Sequence, residues 1–327
     1  MSLVVVADAR RGIREAVRQA MERARWQEAV PPGRPVLVKP NLGWDFALPG
    51  SVTSAAVVEA VIEVLQDGGA AVKVVEADQV LESVEKAFVR SGMAGVCRRR
   101  GVEWVNLSLQ EVVEVEIPGA FALPRLSIPK ILREGTLVTV PVLKTHDKTV
   151  ITGALKNQWG LLPRSRHRHH LVVNEAIADI NRAAPPAFGV MDATLCMEGN
   201  GPKTGRPRRM DLVLASADPV ALDAVGARIM GFDPAAIKHL ERAQAAGLGT
   251  RDAAAITVEG TLPRAAPFRP ARHNFVSRIE LALRHAPFAP LVFDTPLFSF
   301  MLWGAKGWYH AWRLLRGRAW LRAAKGE

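Results

Sequence analysis

The chain has 327 residues, 49% hydrophobic and 23% charged, shares ordinary for a folded protein that buries a large core in one large domain or two. Its two cysteines, Cys97 and Cys196, exclude a disulfide framework and an all-cysteine zinc or iron–sulfur site, and they fit a reducing cytoplasm. The net charge of +11 is high and selects acidic small molecules, nucleic acid or an anionic membrane surface as partner classes.

The opening MSLVVVADARRGIREAV puts charges straight after a short apolar run, so it reads as neither a signal peptide nor a span. No later uninterrupted apolar stretch reaches the roughly 18 residues of a transmembrane helix. LVVVADA predicts a strand and RRGIREAVRQAMERARW a helix. RPVLVKPNL is a buried strand ending in Pro40 and Asn41. Residues 52–67 have helical spacing, stopped by Gly68 and Gly69; AVKVVEA is the next strand and residues 81–92 the next helix. Residues 102–130 read as short antiparallel strands and loops. TLVTVPVLKTH returns to a buried strand, and residues 171–184 form a helix ended by Pro185 and Pro186. FGVMDATLCMEG is a strand entering a Gly-rich loop, and DLVLASADPVALDAVGARIMGFDP is a strand, a turn and a helix. The fold class is therefore α/β, a mostly parallel sheet with helices on both faces. Ligands of such sheets bind beyond the carboxyl ends of the strands, and residues 39–41, 144–146, 192–200 and 218–223 all follow strands.

Residues 143–170, LKTHDKTVITGALKNQWGLLPRSRHRHH, concentrate cations and four histidines around a single acid, Asp147. Lys144 and His146 follow a strand. A helix over ITGALKNQWGLL brings Gly153 and Lys156 near one face, where glycine permits close backbone approach and a helix N-terminus offers N–H groups to an anion. A solvated basic helix and loop is the alternative. In RSRHRHH, His169 and His170 face different ways on a helix, while His167 and His170 share a face and suit a metal. No Asp or Glu stands beside this run, which favours a solvated basic loop, or a phosphate or carboxylate clamp, over a closed metal site. Asp192 and Glu198 in MDATLCMEGNGPKTGRP have the chemistry of cation ligands or of an acid and base; the alternative is a turn stabilised by Asn200 and Gly201. Asp218 reads as a helix N-cap ahead of Pro219. Asp223, set among Ala, Val and Leu, has no such explanation. Phosphate-loop, G-x-S-x-G, H-E-x-x-H and four-cysteine motifs are absent.

VLVKPNL, VPVLKTH with TGALKNQWGLLP, MDATLCMEGNGP and LASADPVALDAVGARIMGFDP, in this order over about residues 34–247, resemble the prokaryotic family catalogued as domain of unknown function 362. Some members carry a ferredoxin-like cysteine module; this chain has none, so the resemblance implies no iron–sulfur cluster here. Ala193 stands where the family pattern has glycine. The matching blocks carry Lys39, Asn41, Lys144, His146, Lys156, Asn157, His170, Asp192, Glu198 and Asn200 as their polar positions. His146, Gly153 and Lys156 also reproduce the H-x₆-G-x₂-K spacing of nickel-dependent lactate racemases. There the lysine anchors a nickel-pincer nucleotide and a later histidine ligates the metal, a role that His170 would take.

From Pro263 onward the composition changes. This segment holds a local net charge of +8 and four of the eight tryptophans, Trp303, Trp308, Trp312 and Trp320. Residues 1–262 are thus expected to form the α/β core, and residues 263–327 a basic, Trp-rich helical extension. Trp308, Trp312, Leu315 and Ala319 form one apolar stripe flanked by Arg313, Arg316 and Arg322. Asp294 and Pro296 interrupt the apolar run 288–303 and argue against spanning. An anionic membrane surface met through residues 288–322, packing on the core and a dimer partner are the open readings; no nucleic-acid-binding module is present.

Two functions follow. In the first, a cytoplasmic enzyme at the inner face of the membrane binds an anionic small molecule or nucleotide-like cofactor. Lys39, Asn41, Lys144, Gly153, Lys156, Asn157, Asn200 and Gly201 hold it, and His146, His170, Asp192 and Glu198 are catalytic. His170 is the ligand for nickel or another divalent metal, and the chemistry implied by resemblance is redox or racemase-like. In the second, the protein is a non-catalytic scaffold that handles a cofactor or metal for a partner, attached peripherally to a membrane and open to oligomerisation.

Overall fold

A computed structural model describes residues 1–46, 48–80, 83–162, 164–263, 267–293 and 295–325. β1 (Ser2–Asp8) lies next to one edge of the sheet, and α1 (Ile13–Arg23) and the single turn α2 (Trp26–Ala29) follow it. β2 (Val36–Pro40), α3 (Ala55–Asp67), β3 (Val72–Glu76), α4 (Val84–Arg90), α5 (Met93–Arg100) and β4 (Glu103–Asn106) make two consecutive parallel crossovers. β5 (Val112–Glu116) and β6 (Arg125–Pro129) form a separate antiparallel pair. After the turn α6 (Ile131–Glu134), β7 (Thr136–Val140) lies beside β2. Pro141 then breaks the strand, which resumes as β8 (Val142–His146). β9 (Val150–Thr152), α7 (Ala154–Asn157) and a 3₁₀ run over Arg164–Val172 lead to α8 (Val173–Ala183). β10 (Phe188–Glu198), β11 (Arg206–Ser216), α9 (Pro219–Ile229), α10 (Lys238–Ala245) and β12 (Ile256–Gly260) complete the sheet. The rest is helical: α11 (Phe275–Arg284), α12 (Ala289–Phe293), α13 (Leu297–Trp312) and α14 (Arg318–Lys325).

The ten-stranded sheet runs β12-β1-β11-β10-β7-β2-β3-β4, with β8 on β10 and β9 on β8. It is mostly parallel, as the alternation of strands and helices predicts. β11 runs against both its neighbours, and β9 against β8. Alternate side chains go to opposite faces: Val4 and Val6 pack with α8, α9 and α10, whereas Val5 and Ala7 pack with α1 and α3. Leu37 and Leu137 face the first layer, and Val36, Val38, Val138 and Val140 the second. Strands buried on both faces explain the near-continuous apolar runs.

Three local readings change. β4 is a parallel strand, so only β5 and β6 form the antiparallel part of residues 102–130. The helix read over residues 81–92 is described only as Val84–Arg90, since 81–82 lie outside the described residues. The helix read over residues 151–162 starts at Ala154, because β-branched Ile151 and Thr152, with Val150 before them, pair with β8 instead.

That late start explains Asp223. Wholly buried on α9, it accepts the backbone N–H groups of Ala154 and Leu155 at 2.5 and 3.0 Å, closing the N-terminus of α7. Burial pushes its carboxyl up to about 7, against the pull of these two bonds. Gly153 leaves room for it, since a Cβ there would lie 2.1 Å from Oδ1 of Asp223. Asp218 caps α9 ahead of Pro219, accepting the N–H groups of Val220 and Ala221, as the sequence predicts.

The C-terminal stripe also shifts. Trp308 and Trp312 turn inward, but Leu315 is 80% exposed. One turn of π-helix over Arg313–Gly317 carries the inward face on to Gly317, Trp320 and Leu321. There Tyr309, Trp312, Trp320 and Leu321 join Trp44, Phe46 and Leu48 of the sheet region.

Asp223→Ala should leave two buried N–H groups unpaired and cost about 2–4 kcal/mol, read as a lower melting temperature. Gly153→Ala should destabilise through the clash alone. The double variant should lose less than the two single losses combined, because removing the carboxylate relieves the clash.

Candidate functional site

The chain leaves β2 for β3 on one side and later returns to β7 on the other. The strand order therefore reverses between β2 and β7. Side chains at these carboxyl ends form a continuous hydrogen-bonded floor. Lys39 is fully buried, and its Nζ lies 2.8 Å from Oε2 of Glu76 on the adjacent β3. Burial pulls the Lys39 pKa down despite that carboxylate. Asn157 donates to the carbonyl of Lys39 (3.2 Å) and to Thr139 Oγ1 (3.0 Å), and its Oδ1 accepts from Asn41 (3.0 Å). Asn41 Oδ1 in turn accepts from Lys144 Nζ at 2.9 Å, and Lys144 also donates to the carbonyl of Ser51. With neutral acceptors only, and burial as the main cause, Lys144 falls to about 7.

Above this floor is a cavity of about 520 Å³, within the range of small-molecule sites. His146 accepts the Lys148 N–H at Nδ1 (3.1 Å), which leaves its ring proton on Nε2. Burial, with Lys156 and Lys148 nearby, drives its pKa well below the usual histidine value. Lys156 sits 4.9 Å over the Trp159 ring, and burial with Arg166 and Lys144 nearby lowers its pKa strongly. His170 stacks on Trp159 and holds Oε1 of Glu280 at 2.6 Å. Lys148 and Arg284 also approach Glu280, at 3.3 and 3.0 Å. Burial pushes the Glu280 carboxyl up, but the hydrogen bond from His170, with the Lys148 and Arg284 cations, holds it well below the carboxylate range.

Lys39, Asn41, Lys144, His146, Lys156, Asn157 and His170 thus converge on one cavity. Five other candidates lie outside its lining. Asp192 is buried and accepts the Ser54 N–H (2.8 Å) at the start of α3, together with the Thr194 N–H and hydroxyl. Glu198 pairs with Arg208 (2.8 Å). Gly153 serves Asp223. Asn200 is exposed and accepts the Thr204 N–H through its carbonyl. Gly201 packs against the Thr145 carbonyl, and its loop sends Pro202 and Lys203 to the cavity. His167 stacks on Phe298 rather than joining His170. Among the described residues no group of three or more His, Cys, Asp or Glu side chains is placed to hold a metal ion.

Sequence reasoning missed Glu76, Lys148 and Glu280. Glu76 ends a strand just as Lys39 does and had that signal. Glu280 stands 110 residues from His170, on α11, with nothing local to mark it. The opposite wall was missed as well. Phe275, Ile279, Phe293, Met301, Leu302 and Trp308 of the C-terminal helices make it apolar.

The family model for the domain of unknown function DUF362 matches residues 36–228. A thylakoid-associated protein of Synechocystis sp. is 29% identical over 258 residues, 72% of this chain and 74% of the relative. Among solved structures, the lactate racemase apoprotein of Thermoanaerobacterium thermosaccharolyticum aligns with a TM-score of 0.46 at 13% identity, over 70% of this chain and 57% of that one. A Thermotoga maritima protein solved by the Northeast Structural Genomics Consortium aligns with a TM-score of 0.39 at 13% identity, over 72% of this chain and 59% of that one. The chain spans less than two thirds of either solved neighbour.

Lys144 offers a direct check on the floor. Its folded value of about 7 lies below the ordinary lysine value of 10.5, so the unfolded chain binds more protons between these pH values. Lysine burial therefore costs stability at the acid end of that window, and the cost fades as pH rises. Lys144→Met should gain on the parent near pH 7 and lose that advantage towards pH 10.5, measured as a difference in melting temperature. A difference constant with pH would remove Lys144 as the titrating group.

Proposed function

This chain belongs to the DUF362 family, and we propose that it binds an organic anion with an apolar body in the cavity between the sheet and the C-terminal helices. One observation carries this reading. Among the described residues, the cavity lining holds six Lys or Arg against three carboxylates, while its facing wall is apolar. Neither Lys144 nor Lys156 pairs with a carboxylate there. A bound anion would supply the missing counter-charge, and the helices would cover its apolar part.

In this reading the protein is an enzyme that moves a proton on the bound acid. Lys156, held towards its neutral amine, takes a proton from the carbon beside the carboxylate and returns it to that carbon; His146, neutral with its proton on Nε2, hydrogen-bonds the charge that develops on the acid. His170 is positioned by Glu280 and Trp159. No step is routed through a metal, because among the described residues no group of three or more His, Cys, Asp or Glu side chains is placed to hold one. A second reading is a carrier without catalysis. It is favoured by the use of Asp192 and Glu198 in structural hydrogen bonds, which leaves few groups for chemistry. We place the protein in the cytoplasm at the inner face of a membrane. The association named for the Synechocystis relative supports this placement, as do two buried free cysteines. Among the described residues no helix is long and apolar enough to cross a membrane.

Medium-chain carboxylates and alkyl phosphates should raise the melting temperature of the parent and have much less effect on Lys156→Ala. Equal stabilisation of both proteins would rule out the anion site. Binding should also take up protons, because the anion favours the charged form of Lys144, whose pKa lies at about 7. Calorimetry at pH 8 in buffers of different ionisation enthalpy reads that uptake directly. Proton NMR in D₂O separates the two functions: exchange beside the carboxylate marks the enzyme, and binding without exchange marks the carrier.

A further inference from the structure

α13 is apolar on two sides. One side walls the cavity through Met301, Leu302, Ala305 and Trp308. The other faces solvent and follows helical spacing. Leu297 is 48% exposed, Phe300 72% and Trp303 77%, and the row continues to Leu314 and Leu315 at 45% and 80%. A helix apolar all round is ordinarily buried on both sides, and here one side is exposed among the described residues. Arg316, Arg318 and Arg322 are exposed next to this row, and residues 295–325 contain no Asp or Glu.

We propose that the outer row of α13 and of the π-turn that follows it, from Leu297 to Leu315, is the surface that docks on an anionic lipid bilayer. It deepens the peripheral attachment proposed above and is independent of what the cavity binds. The row supplies large aromatic and aliphatic side chains that enter the headgroup region, and Gly304 and Gly307 leave space between them. The arginines stand where lipid phosphates would meet them. The absence of any acid along thirty residues selects an anionic surface over a neutral one. No described helix is long and apolar enough to cross a membrane, so α13 lies along the interface.

Flotation of the full chain with phosphatidylglycerol or phosphatidylcholine vesicles tests this surface. The parent should float with phosphatidylglycerol and stay at the bottom with phosphatidylcholine, and about 1 M salt should release most of it. Phe300→Asn with Leu315→Asn should abolish flotation while leaving the thermal melt and carboxylate stabilisation unchanged, since neither residue lines the cavity. Arg316→Glu with Arg322→Glu should lower the bound fraction by roughly tenfold or more. Apolar variants that float like the parent would overturn this surface and leave attachment standing, whereas a parent that never floats overturns attachment itself. A parent dimer that the Phe300 and Leu315 changes dissociate would assign the row to a second copy, and also overturns the proposal.

Discussion

The buried pair of Lys39 and Glu76 is the constraint around which the cavity is arranged. Neither side chain reaches water, so each needs partners beyond the other. Glu76 accepts the N–H groups of Ala77 and Leu42, at 2.9 and 3.3 Å. Lys39 reaches the Pro40 carbonyl and Asn157. Asn157 connects the pair to Asn41, and Asn41 connects it to Lys144. Gly160 lies so close that a Cβ would come within 2.6 Å of Glu76 and 3.0 Å of Lys39. The ends of β2, β3 and β8 and the turn after α7 are thus tied to one polar network. Loss of either Lys39 or Glu76 would strand the other as a buried charge, at a cost of about 3–5 kcal/mol in comparable pairs.

The second feature is how the sheet and the C-terminal helices share the cavity. The sheet ends bring cations, and the helices bring apolar surface and Glu280. That acid is held by His170, Lys148 and Arg284, so it orders the rim and neutralises part of its charge. An aromatic cluster joins the two parts, with Trp44 5.3 Å from Phe46 and 5.6 Å from Trp312. Arg313 covers the Phe46 ring at 4.9 Å. The π-turn lets α13 and α14 keep their aromatic face on this cluster, which an uninterrupted helix would have rotated away.

Much of the fold was legible because its signals are local. Apolar runs alternating with helical spacing mark parallel strands under helices. An Asp followed by Pro at a helix start marks a cap, and Asp218 fills that role. Lys39, Asn41 and Lys144 meet at one cavity because each follows a strand, and strand ends at a reversal of strand order face the same side. The same signal misplaced Asp192 and Glu198. A polar residue at a strand end reads alike whether it faces a cavity or binds a neighbouring backbone. Gly153 and Asp223 show this in another form, since a glycine beside a lysine suggested an anion cradle and in fact leaves room for a carboxylate far along the chain.

By itself, the sequence determined the α/β class, most strand positions, the caps and the concentration of cations in residues 143–170, because these depend on neighbours a few residues apart. Tertiary structure alone decided which of those cations meet, that Glu280 closes on His170, and that α13 presents one apolar side to the cavity and another to solvent. The physical reason is distance along the chain. Burial and pairing are set by elements that the fold brings together from tens to hundreds of residues away, and no local pattern encodes which of them will touch.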